Sequence, residues 1–169
     1  MRRRSVLLAI AVLAAGLLVA SLAGATSGKT SFKANLVGYN EVPAVSSNGS
    51  GSFRAMIDDD AQTITYELTY GGLNSTALFA HIHLGQRNVN GGVSAFLCGG
   101  GDKPPCPAGT GAPETVTGVI DATDVIGPAA QGIAPGEFDE LVRAIRARVT
   151  YANVHSVTQP GGEIRDQLH

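Results

Sequence analysis

Two closely spaced histidines, His81 and His83, lie in the segment AHIHLG at residues 80–85. The chain contains only four histidines, so this segment holds half of its imidazoles. On a β-strand, side chains two positions apart point to the same face and lie about 6–7 Å apart along the strand. Two imidazoles in this arrangement can bind one metal ion through nitrogen, although two ligands alone bind weakly.

A third imidazole could complete such a site. His155 lies in the segment YANVHS, where strand alternation places Tyr151, Asn153 and His155 on one face. If this strand neighbours residues 77–84, three imidazoles converge. Three histidines with an open coordination position are typical of catalytic-type zinc sites, and imidazole also suits copper. The candidate cofactors are therefore copper and zinc.

The same side chains have a structural alternative. Buried polar groups need hydrogen-bond partners, because each unsatisfied group costs about 1–3 kcal/mol. Glu163 and Arg165 follow His155 across the turn QPGGE and could lock the last hairpin with it, and the other histidines could join this network. Both interpretations stay open from the sequence alone. The candidate metal or polar-network residues are His81, His83, Asn153, His155, Glu163 and Arg165.

The elements that would position these residues are mostly short strands. In QTITYELTY, at residues 62–70, apolar and polar residues alternate with the period of a half-buried strand. Similar patterns predict strands at 32–36, 53–58, 63–70, 77–84, 92–97, 115–120, 149–155 and 163–168. Short strands separated by turn signals indicate an all-β sandwich or barrel.

Alternation within residues 77–84 divides that strand into two faces. The apolar face, which should point into the core, consists of Leu78, Ala80, Ile82 and Leu84. The imidazoles should then lie on the other surface, where Phe79 could shield them from water.

One segment departs from strand patterning: residues 135–148 carry an apolar stripe with helical spacing, formed by Phe138, Leu141, Val142 and Ile145. We therefore expect one short amphipathic helix.

The N-terminus has the layout of a secretory signal peptide, with three arginines, an apolar block and a small-residue cleavage pattern ending at Ala25. This predicts a signal peptide at 1–25, a short leader at 26–30 and one domain at 31–169. Retention of the segment as a membrane anchor is the alternative, although its apolar run is short for a span of roughly 20 residues. The mature chain would have 9 basic and 14 acidic residues, a balance that argues against nucleic-acid binding.

The two cysteines, Cys98 and Cys106, flank the loop GGGDKPP. In an exported protein, a close and even pair is typical of a disulfide. A short ring of this kind stabilises by about 2–3 kcal/mol. A soft-metal site is the alternative, but the cysteine spacing differs from that of zinc knuckles.

We find no catalytic set in the sequence. It contains no nucleophile elbow, and Gly28-Lys29-Thr30 lacks the upstream glycine of a phosphate-binding loop. A hydrolase interpretation therefore has no nucleophile to name, and an enzymatic function stays undecided.

Three segments resemble the CHRD (chordin) domain in sequence and order: FKANLVGYNEVPAV at 32–45, AHIHLGQRNVNGGV at 80–93 and YANVHSVTQPGGEIRDQL at 151–168. The resemblance covers roughly residues 31 to 168. The chain departs from the family pattern at Ala44, where a second proline is usual, at Ser156, where threonine is usual, and at Asp166, where glycine is usual. None of these departures involves the histidines or Glu163.

The resemblance implies an immunoglobulin-like or superoxide-dismutase-like β architecture and an extracellular or periplasmic location, but no settled activity. Two hypotheses follow. The first is a non-catalytic module that binds an extracellular protein or contributes to an envelope layer. The second is a copper or zinc protein with a three-histidine site and dismutase-like redox chemistry, although a dismutase copper site uses more histidines than this domain offers. Contact with a membrane would require retention of the N-terminal segment.

Overall fold

The structure, a computed structural model, describes residues 28–169. The predicted signal peptide and the first two residues of the predicted leader therefore lie outside the described residues. Within residues 28–169, no helix is long and apolar enough to span a membrane. The strands are β1 (Lys29–Val37), β2 (Ser50–Asp58), β3 (Thr63–Gly71), β4 (Ala77–Leu84), β5 (Gly92–Cys98), β6 (Glu114–Ile120), β7 (Thr150–Ser156) and β8 (Ile164–Gln167).

These eight strands form one antiparallel sheet in the order β5-β4-β7-β8-β1-β2-β3-β6. The two end strands, β5 and β6, approach each other, so the sheet is a nearly closed barrel. A buried hydrogen bond crosses the interior, where the Tyr66 hydroxyl donates to the Leu97 carbonyl at 2.7 Å. This architecture confirms the predicted all-β sandwich or barrel class.

Alternating residues of the strands build the core. In β3, Ile64, Tyr66 and Leu68 are buried, whereas Thr65 and Glu67 between them are exposed. The same alternation runs through β1 and β2, and it fills the barrel with apolar side chains. Burial of apolar surface contributes about 25 cal/mol for each Å² removed from water, so this interior is the main stabilising feature of the fold.

Within residues 28–169, one α-helix, α1 (Phe138–Arg146), packs its apolar stripe against the core, as the sequence predicts. The helix begins three residues after the expected Pro135. Gly136 adopts a left-handed φ of +88° and Glu137 is not helical, so the backbone cannot continue the helix toward Pro135. In the described part of the chain, three short 3₁₀ turns lie at Gly38–Asn40, Ala122–Asp124 and Ala129–Gln131.

The loop between β5 and β6 is held by a cross-link and by charge. The sulfur atoms of Cys98 and Cys106 lie at the disulfide distance of 1.97 Å, as the sequence predicts. Inside this loop, the Lys103 ammonium lies 2.5 Å from the Asp124 carboxylate and 2.9 Å from that of Asp102. The cross-linked loop is thereby tied to the 3₁₀ turn that follows β6.

Strand β4 differs from the expected two-faced strand in two ways. Leu78 is 39% exposed, so it does not belong to the core, because the β4–β7 register shifts between Ala77 and Phe79. In addition, both faces of the following residues are buried: Ala80 and Ile82 face the core, and the imidazole face is covered as well. Of this second covering, the sequence predicted only the shielding by Phe79.

The packing of α1 leads to a stability prediction. Leu141 is fully buried on the helix, so Leu141→Ala should lower the free energy of unfolding by about 2–5 kcal/mol. Arg143→Ala, on the exposed side of the same helix, is the matched control and should change it by less than about 0.5 kcal/mol. Urea denaturation of the purified variants measures both effects, and equal losses would contradict the packing described.

Candidate functional site

The candidate site forms where β4 pairs with β7. The register places Phe79 opposite His155, His81 opposite Asn153 and His83 opposite Tyr151. Residues paired across antiparallel strands point to the same face, with their Cβ atoms about 4.5–5.5 Å apart. The adjacency on which the three-imidazole hypothesis depends is therefore present.

The three histidines His81, His83 and His155 form a compact buried cluster, called here the histidine cluster. One ligand nitrogen from each residue lies within 4.8 Å of the other two. The shortest separation is 3.2 Å, between Nδ1 of His81 and Nε2 of His155. The side chains are only 5%, 7% and 6% exposed, respectively.

Backbone carbonyls orient two of the rings. Nδ1–H of His83 donates to the Gly91 carbonyl at 3.0 Å, and Nδ1–H of His155 donates to the Pro160 carbonyl at 3.0 Å. A neutral imidazole carries one ring proton, so Nε2 of each residue has a lone pair. The lone pair of His155 faces His81, and that of His83 has no partner among the described residues. His81 then donates from Nδ1 to Nε2 of His155. In metal sites, a backbone carbonyl commonly accepts from the ring nitrogen that does not bind the metal, and so fixes the orientation of the ring.

The glycine at position 91 makes the first anchor possible. A Cβ atom on Gly91 would lie 1.6 Å from the Leu84 carbonyl oxygen, a distance that no packing adjustment could accept without moving the loop. The loop between β4 and β5 can therefore fold back tightly against the end of β4. This close approach brings the Gly91 carbonyl to His83.

Aromatic rings cover the cluster. Phe96 of β5 packs edge-on against His81 with the ring centroids 4.4 Å apart, and Phe79 lies 4.9 Å from His155. Tyr151 stacks on His83 at 4.7 Å with an interplanar angle of 5°. These rings exclude water from the imidazoles, which explains why a face that the sequence places outside the core is buried.

Burial governs the protonation of the cluster. It lowers the pKa of His81 to about 3, and repulsion from His155 and His83 adds to the effect. Burial also lowers the pKa of His83 to about 4, although the hydrogen bond to Gly91 opposes the shift. The pKa of His155 is lowered for the same reason. All three rings are therefore neutral near pH 7, which is the protonation state that binds metals.

Glu163, a member of the predicted network, has other partners. It is fully buried and accepts hydrogen bonds from the Ser47 hydroxyl at 2.6 Å, from the backbone N–H of Asn74 at 2.7 Å and from the Ser156 hydroxyl. These bonds tie the turn before β8 to the loops that follow β1 and β3. Within residues 28–169, we find no hydrogen bond between Glu163 and a histidine.

Arg165 and Asn153 lie beside the cluster without bonding to its imidazoles. The Arg165 guanidinium donates to the Asn90 side chain and to the Val89 carbonyl, both at 3.0 Å, and lies 3.5 Å from the centroid of the Tyr151 ring. The Asn153 amide donates to the Glu41 carboxylate and to the Ile164 carbonyl. The expected hydrogen-bonded lock of His155, Glu163 and Arg165 is thus replaced by separate networks.

Glu41 is a buried carboxyl group next to this arrangement. Burial raises its pKa to about 7, although the positive charge of Arg165 and the hydrogen bond from Asn153 oppose the shift. In the structure the direct contact is with Asn153, and the guanidinium acts on the carboxyl group through its charge.

The geometry of the cluster fits a metal ion in two respects. Nitrogens that bind one zinc ion at about 2.0–2.1 Å in a tetrahedral site lie about 3.3–3.4 Å apart, close to the shortest separation here. Since no separation exceeds 4.8 Å, the widest would have to contract by at most about 1.5 Å. Furthermore, Nε2 of His83 is buried and has no hydrogen-bond partner among the described residues.

Sequence reasoning missed several contributors to this site. Phe96 pairs with His81 across β4 and β5, but its strand gave no sign of which neighbour it would meet. The carbonyls of Gly91 and Pro160 carry no side-chain signal at all. The available signals were the turn sequences NG at 90–91 and PGG at 160–162, which predicted tight turns but not the groups they present.

The shifted pKa values predict how stability depends on pH. The unfolded chain has imidazole pKa values near 6.5, so below that pH it binds protons that the folded His81, His83 and His155 do not. This contribution to stability is complete above pH 6.5 and declines as the pH falls toward 4. Glu41 acts in the opposite direction between pH 7 and 4.5, because the folded state there holds the extra proton. Three imidazoles outweigh one carboxyl group, so the free energy of unfolding should fall between pH 6.5 and 4.5.

Glu41→Gln separates the two contributions. It removes the opposing titration, so the decline between pH 6.5 and 4.5 should steepen by up to about 1.4 kcal/mol per pH unit. Urea denaturation at a series of pH values, on metal-free wild type and variant, measures both slopes. A wild-type stability that is constant or rises as the pH falls through this range would contradict the burial of the cluster.

No curated protein and no solved structure matches the chain. A family model of the CHRD domain matches residues 32–168, from the first strand through the last and including all three histidines of the cluster. The match covers far more than half of the sequence, and we conclude that the chain belongs to the CHRD domain family.

Proposed function

We propose that this CHRD-domain protein is an exported, non-catalytic module that holds one copper or zinc ion with His81, His83 and His155. The observation that carries the proposal is the buried Nε2 of His83, which has no hydrogen-bond partner within residues 28–169 and lies in a cluster of three neutral imidazoles. Neutral imidazole nitrogen is a ligand that suits both metals. The side chains needed for a site are therefore close together and in the right protonation state.

A purely structural role for the cluster explains the geometry less well. A polar network that only locks the fold would satisfy its buried atoms, because each unsatisfied one costs about 1–3 kcal/mol. Among the residues that the structure describes, Nε2 of His83 has no hydrogen-bond partner, and Nδ1 of His81 bonds only to His155. Glu163 and Arg165, the residues best suited to complete a lock, are engaged elsewhere. A bound cation would supply the missing partner.

The proposed location outside the cytoplasm is supported by the cross-link between Cys98 and Cys106 and by family membership. Disulfides persist in oxidising compartments and are rare in the cytosol. The signal-peptide pattern at residues 1–25 agrees with export. There the module would meet an extracellular protein or an envelope component as its partner.

The non-catalytic part of the proposal is supported by the absence of a recognisable nucleophile in the sequence. Both cysteines are cross-linked, and no hydroxyl or thiol nucleophile is paired with a base at the histidine cluster among residues 28–169. Dismutase-like redox chemistry is the alternative function for a copper form. It would have to proceed with only three histidine ligands, so we favour metal binding without turnover.

Metal titration tests the proposal. The metal-free protein should bind about one equivalent of copper or zinc, with a rise in melting temperature. At a free metal concentration of 100 times Kd, the gain in unfolding free energy should be about 2.7 kcal/mol. His81→Ala combined with His83→Ala should abolish binding and the thermal shift, since a single imidazole remains.

His169→Ala is the matched control, because this residue is an exposed histidine outside the cluster. It should bind metal like the wild type in equilibrium dialysis followed by elemental analysis. A wild type that binds no metal, but loses stability in the double variant, would replace the proposal by the structural interpretation.

A further inference from the structure

The ligand set of the histidine cluster carries no negative charge. Each ligand is a neutral imidazole, and within residues 28–169 no carboxylate oxygen belongs to the group of converging ligand atoms. Glu163, the buried carboxylate nearest in sequence to His155, is occupied by three hydrogen-bond donors, two of which come from Ser47 and Ser156. An ion bound here would therefore keep its full charge within the ligand shell.

The charged groups around the cluster do not offset that charge. The Arg165 guanidinium lies over the Tyr151 ring, and the same ring stacks on His83. The acidic group next to Asn153 is Glu41, which accepts a hydrogen bond from Asn153 and feels the charge of Arg165. The negative charge of an ionised Glu41 can at most cancel the positive charge of Arg165. The surroundings of the cluster are therefore neutral or positive, and a cation in it gains no net electrostatic compensation.

An uncompensated buried ion pays a desolvation cost that grows with the square of its charge. A dication therefore pays about four times the cost of a monocation of similar size in the same surroundings, before any ligand bonds form. The aromatic rings of Phe79, Phe96 and Tyr151 make these surroundings poor in polar groups. The charge of the ion is thus the main property by which such a site can distinguish one metal ion from another.

The number of available ligands also favours a monovalent ion over a divalent one. Zinc in proteins is almost always four-coordinate, and a site with three protein ligands adds a water molecule. Here the imidazoles are at most 7% exposed and each has an aromatic ring against it. A monovalent copper ion accepts imidazole nitrogen and is stable with three ligands, so it needs neither a fourth ligand nor a compensating anion.

We infer that the histidine cluster is a cuprous site, selective for Cu(I) over Zn(II) and Cu(II). The inference rests on the proposed metal-binding function and specifies which ion the module holds. Selectivity arises from the uncharged ligand set, the neighbouring guanidinium and the aromatic cover. The protein would then hold copper in its reduced form in a compartment where Zn(II) competes for imidazole ligands.

The first test compares affinities of the wild-type protein. Under anaerobic conditions, Cu(I) is titrated against bicinchoninate as a competing chromophoric chelator, and Zn(II) and Cu(II) are titrated separately against chelators of known affinity. Cu(I) should bind at least tenfold more tightly than either dication. Equal or tighter binding of Zn(II) or Cu(II) would overturn the cuprous inference but leave the proposed function intact. Failure of all three ions to bind would contradict both the cuprous inference and the proposed metal-binding function.

The second test adds a negative charge to the site. Phe79→Asp places a carboxylate beside His81 and His155, whose rings lie 5.1 and 4.9 Å from the phenyl ring. It should raise the affinity for Zn(II) at least tenfold and change that for Cu(I) by a smaller factor. The Cu(I) preference should therefore narrow.

Leu78→Asp is the matched control, because it adds the same charge at the adjacent, exposed position. It should leave the affinities for Zn(II) and Cu(I) unchanged. No Zn(II) gain in a folded Phe79→Asp variant, or an equal gain in Leu78→Asp, would overturn the inference that charge sets selectivity. Circular dichroism establishes that the variants fold, and if Phe79→Asp does not, the wild-type affinities alone decide.

Discussion

The antiparallel register of β4 and β7 is the constraint on which the candidate site depends. It is fixed by the core face, where Ala80 pairs with Val154 and Ile82 pairs with Ala152, all fully buried. A shift of one residue would turn this apolar set outward and the imidazoles inward. The hydrophobic effect on one face of the sheet therefore sets the positions of the histidines on the other. No direct attraction between the imidazoles is needed to assemble the cluster.

The turns at the strand ends add the precision that the register alone does not supply. Glu163 ties the last turn to distant loops, and this turn presents the Pro160 carbonyl to His155. Gly162 adopts a φ of +127°, and a Cβ atom there would lie 2.6 Å from Oε1 of Glu41. A side chain at this position would disturb the hydrogen-bonded carboxyl group. Buried polar anchors thus connect the loop geometry to the orientation of the rings.

The alternating pattern of residues 77–84 and 151–155 was sufficient to predict strands and a shared imidazole face, because alternation is a local property of the backbone. The partners of Glu163 could not be predicted in this way, since Ser47 lies 116 residues away along the chain. The covering of the imidazoles by Phe96 depends on which strand lies beside β4. A period-two pattern is compatible with either a solvated or a covered second face, and only tertiary packing distinguishes the two.

The aromatic cover has two consequences that share one cause. It removes water from the imidazoles, so it costs folding free energy, and Nε2 of His83 recovers none of this cost through a hydrogen bond within the described chain. The same desolvation lowers the pKa of His83 to about 4, so its lone pair stays available in mildly acidic surroundings. An exposed imidazole would avoid this desolvation cost, but a proton would occupy its lone pair near pH 6.5. The fold is therefore less stable than it could be, but its ligand nitrogens resist protonation. This compromise is expected at a binding site and not in a core built for stability alone.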